Sequence, residues 1–375
     1  MPIRSLAIIE STLREGEQFA LARFDRDQRR DIARGVDAFG VEYIEVTTPI
    51  ASPQAAESCR DLAGLGLRAT VLTHTRCVLD DVRCAIECGV GGVDLLFGVS
   101  SWLRSHSHGL DVDQIVDAAA QCVDLVRAAN LEVRFSCEDT FRTDEDTVLR
   151  VHAAVAALGV DRVGLADTVG VATPAQVSRL VSRLRATVAC DIEFHAHNDT
   201  GCAVANALAA LEAGATHIDT TVMGIGERNG IVPLSGLIAR LLTLQPELLD
   251  GYRLDLLPDL DRMVADILGV DIPFTSPITA PYAFHHKAGV HTKAVLSDPR
   301  AYEPFAPELF GIERRLLLNH HLVGRHGVRD RAVQLGIEGD EEWLRRATAE
   351  VKRRTTDRAL RDDEVDALLL ELAEA

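Results

Sequence analysis

Gly40-Val-Glu-Tyr-Ile44, Gly89-Val-Gly-Gly-Val93, Gly159-Val-Asp-Arg-Val163 and Gly214-Ala-Thr-His-Ile218 share one register. In each, a glycine closes a helical pattern where a left-handed residue is wanted, and an apolar run begins directly after it. Further apolar runs lie between these copies, so strands are predicted at 6–12, 43–48, 69–74, 93–99, 132–138, 162–168, 192–198 and 217–223. Nearly continuous apolar strands are expected where a parallel sheet is covered on both faces. Helical stripes fill the gaps. Ile32, Val36 and Phe39 recur within 27–39, and Val177, Leu180, Val181 and Leu184 within 174–186, where Thr173 can cap the helix and Pro174 takes its first position. Strict β–α alternation through eight units predicts an α/β fold, a closed (β/α)8 barrel over residues 1–249. An open doubly wound sheet is the alternative, but no GxGxxG follows the first strand.

Beyond Leu244 the character changes. Pro246, Pro258, Pro273, Pro277 and Pro281 punctuate short segments, and helical stretches follow near 329–336 and 340–373. Residues 250–375 are therefore read as a smaller, mainly helical C-terminal region.

The 375 residues include 47% hydrophobic and 26% charged, enough for a large core. The N-terminal apolar stretch is too short and too soon charged for a signal peptide, and no run of 18 residues lacks charge, so no membrane span is expected. Eight cysteines are scattered without a CxxC and read as reduced, mostly buried thiols. A net charge of −18 argues against nucleic-acid or anionic-membrane partners. The expected address is the cytoplasm. An anionic substrate would then need basic groups placed locally.

Those groups collect where barrel chemistry belongs, at the strand C-termini. Thr12 to Gln18 follow strand 1, Thr73-His74 end strand 3, Arg134 to Asp139 end strand 5, Asp167-Thr168 end strand 6, and His195 to Asp199 end strand 7. Residues two apart on a strand point the same way, so His195 and His197 both face the barrel mouth. With one carboxylate, for which Glu15 is the candidate, they would form an N2O site for one divalent ion. Arg14 beside Glu15 is either a structural ion-pair partner or the holder of an oxyanion. His74, Arg134 and Ser136 alternate inward on neighbouring strands and could grip a carboxylate or form a hydrogen-bonded rim. The run Gly224-Ile-Gly-Glu-Arg-Asn-Gly230 suits a phosphate or pantetheine loop, or simply a tight turn. His285, His286 and His291 form a second cluster, either surface histidines or a source of an acid/base group over the barrel mouth.

STLREGEQ at 11–18, VTTPIASPQ at 46–54, FSCEDTFR at 135–142, GLADTVGVATP at 164–174, FHAHNDTGCAVANA at 194–207, DTTVMGIGERNG at 219–230 and HxxGxH at 286–291 together resemble the homocitrate synthases. These belong to the wider isopropylmalate synthase-like group of metal-dependent acyltransferases. The resemblance spans essentially the whole chain. It implies a Claisen-type condensation of acetyl-CoA with 2-oxoglutarate, giving homocitrate and CoA in lysine biosynthesis. Oxaloacetate or phosphonopyruvate as acceptor, or a related metal-dependent lyase, stand as alternatives. It also implies that Glu15, His195 and His197 hold one divalent ion (magnesium, manganese or zinc) and that Arg14 stabilises the developing enolate or alkoxide. Thr168 would hold the acceptor's first carboxylate, and His74, Arg134 and Ser136 its distal one. Glu138 and His291 would handle protons at the acetyl methyl. His291 would reach the partner's barrel from region 250–375, making a homodimer with shared active sites.

Overall fold

The computed structural model describes residues 3–374. Eight parallel strands close a barrel in sequence order: β1 (Ala7–Glu10), β2 (Tyr43–Val46), β3 (Thr70–Arg76), β4 (Gly92–Gly98), β5 (Glu132–Glu138), β6 (Arg162–Asp167), β7 (Asp191–Ala196) and β8 (His217–Thr220). Closure is made by β8 against β1, with Ala7 opposite His217 and Glu10 opposite Thr220. The four recurrent glycines all adopt positive φ: 115° at Gly40, 77° at Gly89, 84° at Gly159 and 113° at Gly214. Each turns a helix end back into the next strand, which explains why the same residue type recurs at one register.

Local signals set the helices. Helix Arg26–Phe39 starts at a reciprocal cap between Asp25 and Gln28 and buries Ile32, Ala33, Val36 and Phe39. Helix Pro174–Thr187 starts at the same kind of cap, Thr173 with Gln176, and buries its predicted stripe. The strand faces turned to these helices are apolar and fully buried, as at Val133, Phe135, Val163, Leu165, Ile192 and Phe194. The inward faces are not. Glu45, Asp94, Arg134, Arg162, Glu193 and Asp219 are buried there, a charged interior that the continuous apolar runs did not announce.

The chain divides into two compact units between Thr279 and Ala280. Helix Leu257–Leu268 belongs to the barrel unit and lies so close to Arg26–Phe39 that a Cβ on Gly35 would come 2.8 Å from Leu260. The second unit carries helices Gly289–Ser297, Arg325–Gln334, Glu341–Arg354 and Asp362–Glu374, so the stretch expected over 340–373 is two helices. Its core gathers Val328, Trp343, Ala347, Val351, Leu368 and Leu369. Strand His285–His286 pairs with Arg315–Leu316. Among the described residues no helix is long and apolar enough to cross a membrane.

Phe39 is fully buried at the end of its helix, stacked on Tyr252 at 5.6 Å, where β2 begins and away from the strand C-termini. Phe39→Ala should cost about 3–5 kcal/mol in urea unfolding while leaving substrate affinity of the folded protein unchanged. A variant of wild-type stability would show that this end of the barrel does not carry the core.

Candidate active site

A cavity of about 450 Å³ opens at the C-terminal ends of the strands. Its lining contains Arg14, Glu15, His74, Arg134, Ser136, Glu138, Thr168, His195 and His197, so nine residues singled out from sequence meet in one place. His291 lies in the second unit, exposed on helix Gly289–Ser297, with its ring 4.1 Å from that of Tyr302. Gln18, Leu96, Ala166, Glu227 and Arg228 complete the lining; Gln18, Glu227 and Arg228 lie in the strand-end and glycine-rich runs read from sequence, whereas Leu96 and Ala166 were not foreseen. Leu96 and Ala166 share the inward phase of their strands, a signal the alternation already held.

One potential ligand atom from each of Glu15, His195 and His197 lies within 4.8 Å of the others. His195 bonds through Nδ1 to Asp219 at 2.7 Å, which leaves Nε2 for an ion. His197 Nδ1 is buried without a partner, and burial, reinforced by the neighbouring His195, pushes its pKa down to about 4. A neutral imidazole is the form that ligates. Burial alone would raise the pKa of Glu15, yet Arg14, His195 and His197 outweigh it and hold the carboxyl below its ordinary value. The donor set of two nitrogens and one carboxylate fits a divalent ion.

The glycine-rich segment 224–230 serves this carboxylate. The Glu227 N–H donates to Glu15 Oε1 at 2.8 Å, and a Cβ on Gly226 would sit 2.7 Å from the same oxygen. A side chain on Gly230, at φ 72°, would run into the Gly224 carbonyl. These glycines permit a tight turn packed on Glu15.

Arg14 is clamped between two acids, donating to Glu15 Oε2 at 2.7 Å and to Glu45 Oε2 at 2.6 Å. Burial opposes its charge, but the facing Glu45 and Glu15 keep the guanidinium above its ordinary pKa. Burial, with Arg14 beside it, pushes His74 down to about 3, and its Nε2 is buried without a partner. Burial and the charge of Asp139 raise the Glu138 pKa above its ordinary value, the direction that helps a carboxyl take up a proton. Thr168 Oγ accepts from the Asp139 N–H at 2.8 Å, leaving its own hydrogen free to donate. Arg228 donates to the Thr168 carbonyl at 2.7 Å and pairs with Asp199, tying together the loops after β6, β7 and β8.

Arg134 does not wait unpaired. Its Nη2 is ion-paired with Glu193 and lies 3.6 Å from Asp219, while its Nε has no partner. An acceptor with an alkyl end would therefore not strand this cation, because Glu193 already balances it. Glu193 was missed although it stands two residues before His195, in the same inward phase.

Fold and site together define the HMGL-like class of barrel enzymes, whose pattern matches residues 5–264. Within it, a pattern described as the homocitrate synthase post-HMGL domain matches residues 278–359. The mitochondrial homocitrate synthase of Schizosaccharomyces pombe is 48% identical over 98% of this chain and 88% of its own length. The cytosolic isozyme of Saccharomyces cerevisiae is 46% identical over 98% and 86%. A Bacillus subtilis HMG-CoA lyase structure superposes with a TM-score of 0.65 at 21% identity, covering 73% of this chain and 97% of its own, a likeness of fold. This chain belongs to the homocitrate synthase family.

Titration with a divalent ion should show about one bound per chain, lost in His195→Ala. Asp219→Asn, which removes the carboxylate orienting His195, should weaken binding roughly 10–100-fold. Undiminished calorimetric affinity in both variants would refute the triad.

Proposed function

We propose that the chain catalyses the condensation of acetyl-CoA with 2-oxoglutarate and water to give homocitrate and CoA. The observation that supports this most is the meeting of the nine residues singled out from sequence in one cavity, in a chain whose relatives at 46–49% identity are homocitrate synthases. Shorter anionic acceptors and the lyase reaction find no such support.

In this reading Glu15, His195 and His197 would hold the divalent ion, which supplies Lewis-acid polarisation of the acceptor's keto group. Thr168 donates to the adjacent carboxylate. His74, Ser136 and Arg134 Nε supply donors to the distal one, with Glu193 keeping the arginine in place. Glu138 and His291 of the partner subunit take a methyl proton from the thioester, and Arg14 stabilises the negative charge that develops. The carbanion pair forms the new bond to the keto carbon, whose oxygen is then protonated. Hydrolysis of the product thioester releases the CoA thiol.

The barrel expected over 1–249, to whose unit helix Leu257–Leu268 also belongs, is assigned as the catalytic domain, and the part of 250–375 that forms the second unit as the partner-reaching arm of a homodimer with shared sites. Thiols without a disulfide among the described residues suit a reducing compartment, and we place the protein in the cytoplasm, with its product entering lysine biosynthesis.

Thiol release measured over a panel of 2-oxo acids should give 2-oxoglutarate more than about tenfold higher kcat/KM than 2-oxoisovalerate, with Arg134→Ala removing most of the difference. Preference for the branched alkyl acid would overturn the diacid assignment. Mixing inactive His291→Ala with inactive His195→Ala subunits should recover part of the activity, since some hybrid sites carry both histidines. No recovery after verified subunit exchange would remove His291 from the partner's site.

A further inference from the structure

The loop after β4 is bonded into shape and yet presents an aromatic surface that the fold does not use. It runs from Gly98 into a short helical turn, Ser101–Leu103, and then a single π-helical turn, Arg104–His108, ending at Gly109 with φ 73°. Ser100 Oγ accepts from the Leu103 N–H at 3.2 Å. His108 Nδ1 accepts from the Leu110 N–H at 3.1 Å, so its Nε2 carries the proton donated to the Gly98 carbonyl at 2.8 Å. Leu103 folds so tightly over the strand end that a Cβ on Gly98 would meet it at 2.8 Å. Single π turns concentrate at functional sites.

On this frame Trp102 is 61% exposed, its indole stacked on the His106 ring at 6.3 Å and 22°. His106 Nδ1 bonds the Trp102 carbonyl at 2.9 Å, which holds the pair together. Close in sequence, Arg104 makes no ion pair among the described residues, and its Nε is buried without a partner. In a chain of net charge −18, that is a cation left available. The loop follows directly on a strand that lines the cavity: Leu96 of β4 is in its wall, and the Val99 N–H reaches the carbonyl of Glu138, itself a lining residue, at 3.5 Å. A fixed, exposed indole in the same short loop as an unpaired arginine suits a ligand that carries both a flat base and phosphates.

The geometry points to Trp102, His106 and Arg104 as the dock for the nucleotide end of the coenzyme A thioester, with adenine on the free indole face and phosphate on Arg104. This rests on the acetyl-CoA reading above.

The test compares acetyl-CoA with acetyl-pantetheine, which has the same thioester and no nucleotide. Trp102→Ala should raise KM for acetyl-CoA about 5- to 100-fold, the worth of one base stack. Its kcat, its KM for 2-oxoglutarate and its kinetics with acetyl-pantetheine should match wild type. Trp102→Phe should restore most of the affinity, and Arg104→Gln should weaken acetyl-CoA most at low salt. An unchanged KM for acetyl-CoA in Trp102→Ala overturns the dock, as does an equal loss with acetyl-pantetheine. If wild-type protein releases no thiol with any 2-oxo acid, the condensation reading fails instead. Calorimetric titration of CoA onto wild type and Trp102→Ala then decides the dock by itself: weaker binding by the variant supports it, and equal or absent binding ends it.

Discussion

Glu193, wholly buried, lies between two arginines of neighbouring strands, Arg134 and Arg162. A charge removed from water is tolerated only when paired and hydrogen-bonded, and here each member balances others. Arg162 also reaches Glu132 at 2.6 Å and lies 4.6 Å over the Tyr43 ring, while Asp219 meets both Arg134 and His195. The network thus connects the barrel interior to a candidate metal ligand. Its geometry fixes which way His195 presents Nε2 and which nitrogen of Arg134 is left over for the cavity.

The same logic separates this barrel from one filled by apolar layers. Its outward strand faces are aliphatic and aromatic and hold the helices. The inner column is ionic and holds functional groups in fixed orientations. Asp94 illustrates the cost of that choice: burial lifts its carboxyl to about 7, aided by the charges of Glu45 and Asp219 and opposed by Arg134 and Arg162, and neither of its oxygens has a hydrogen-bond partner. Preorganisation of this kind places dipoles and charges before substrate arrives, where they contribute most to a developing negative charge.

The rim is held by backbone as much as by side chains. Glu15 is set by the Glu227 N–H and by a glycine whose missing side chain leaves room for the carboxylate. Thr168 is set by the Asp139 N–H and by Arg228. Loops after β1, β5, β6, β7 and β8 therefore constrain one another, and the cavity is a property of their joint closure.

How much of this was legible in the chain follows from the range of each signal. The repeated glycine register, the caps at Asp25 and Thr173 and the alternation of strand residues act over a few positions, so sequence alone determined the eight-unit barrel. The period-2 phase likewise put His195 and His197 on one side of β7, and strand-end position gathered His74, Arg134, Ser136, Glu138 and Thr168. What joins these groups spans the barrel: Glu15 to the loop after β8, His195 to Asp219, Arg134 to Glu193. Such contacts depend on strand order, shear and closure, which no local pattern encodes. Only the tertiary structure decided that Arg134 has its own counter-ion, that the glycines of 224–230 pack on Glu15, and that the loop after β4 leaves Trp102 exposed and Arg104 unpaired. The reason is physical: a carboxylate chooses its partner by distance in space, and the chain is silent on distance until the barrel closes.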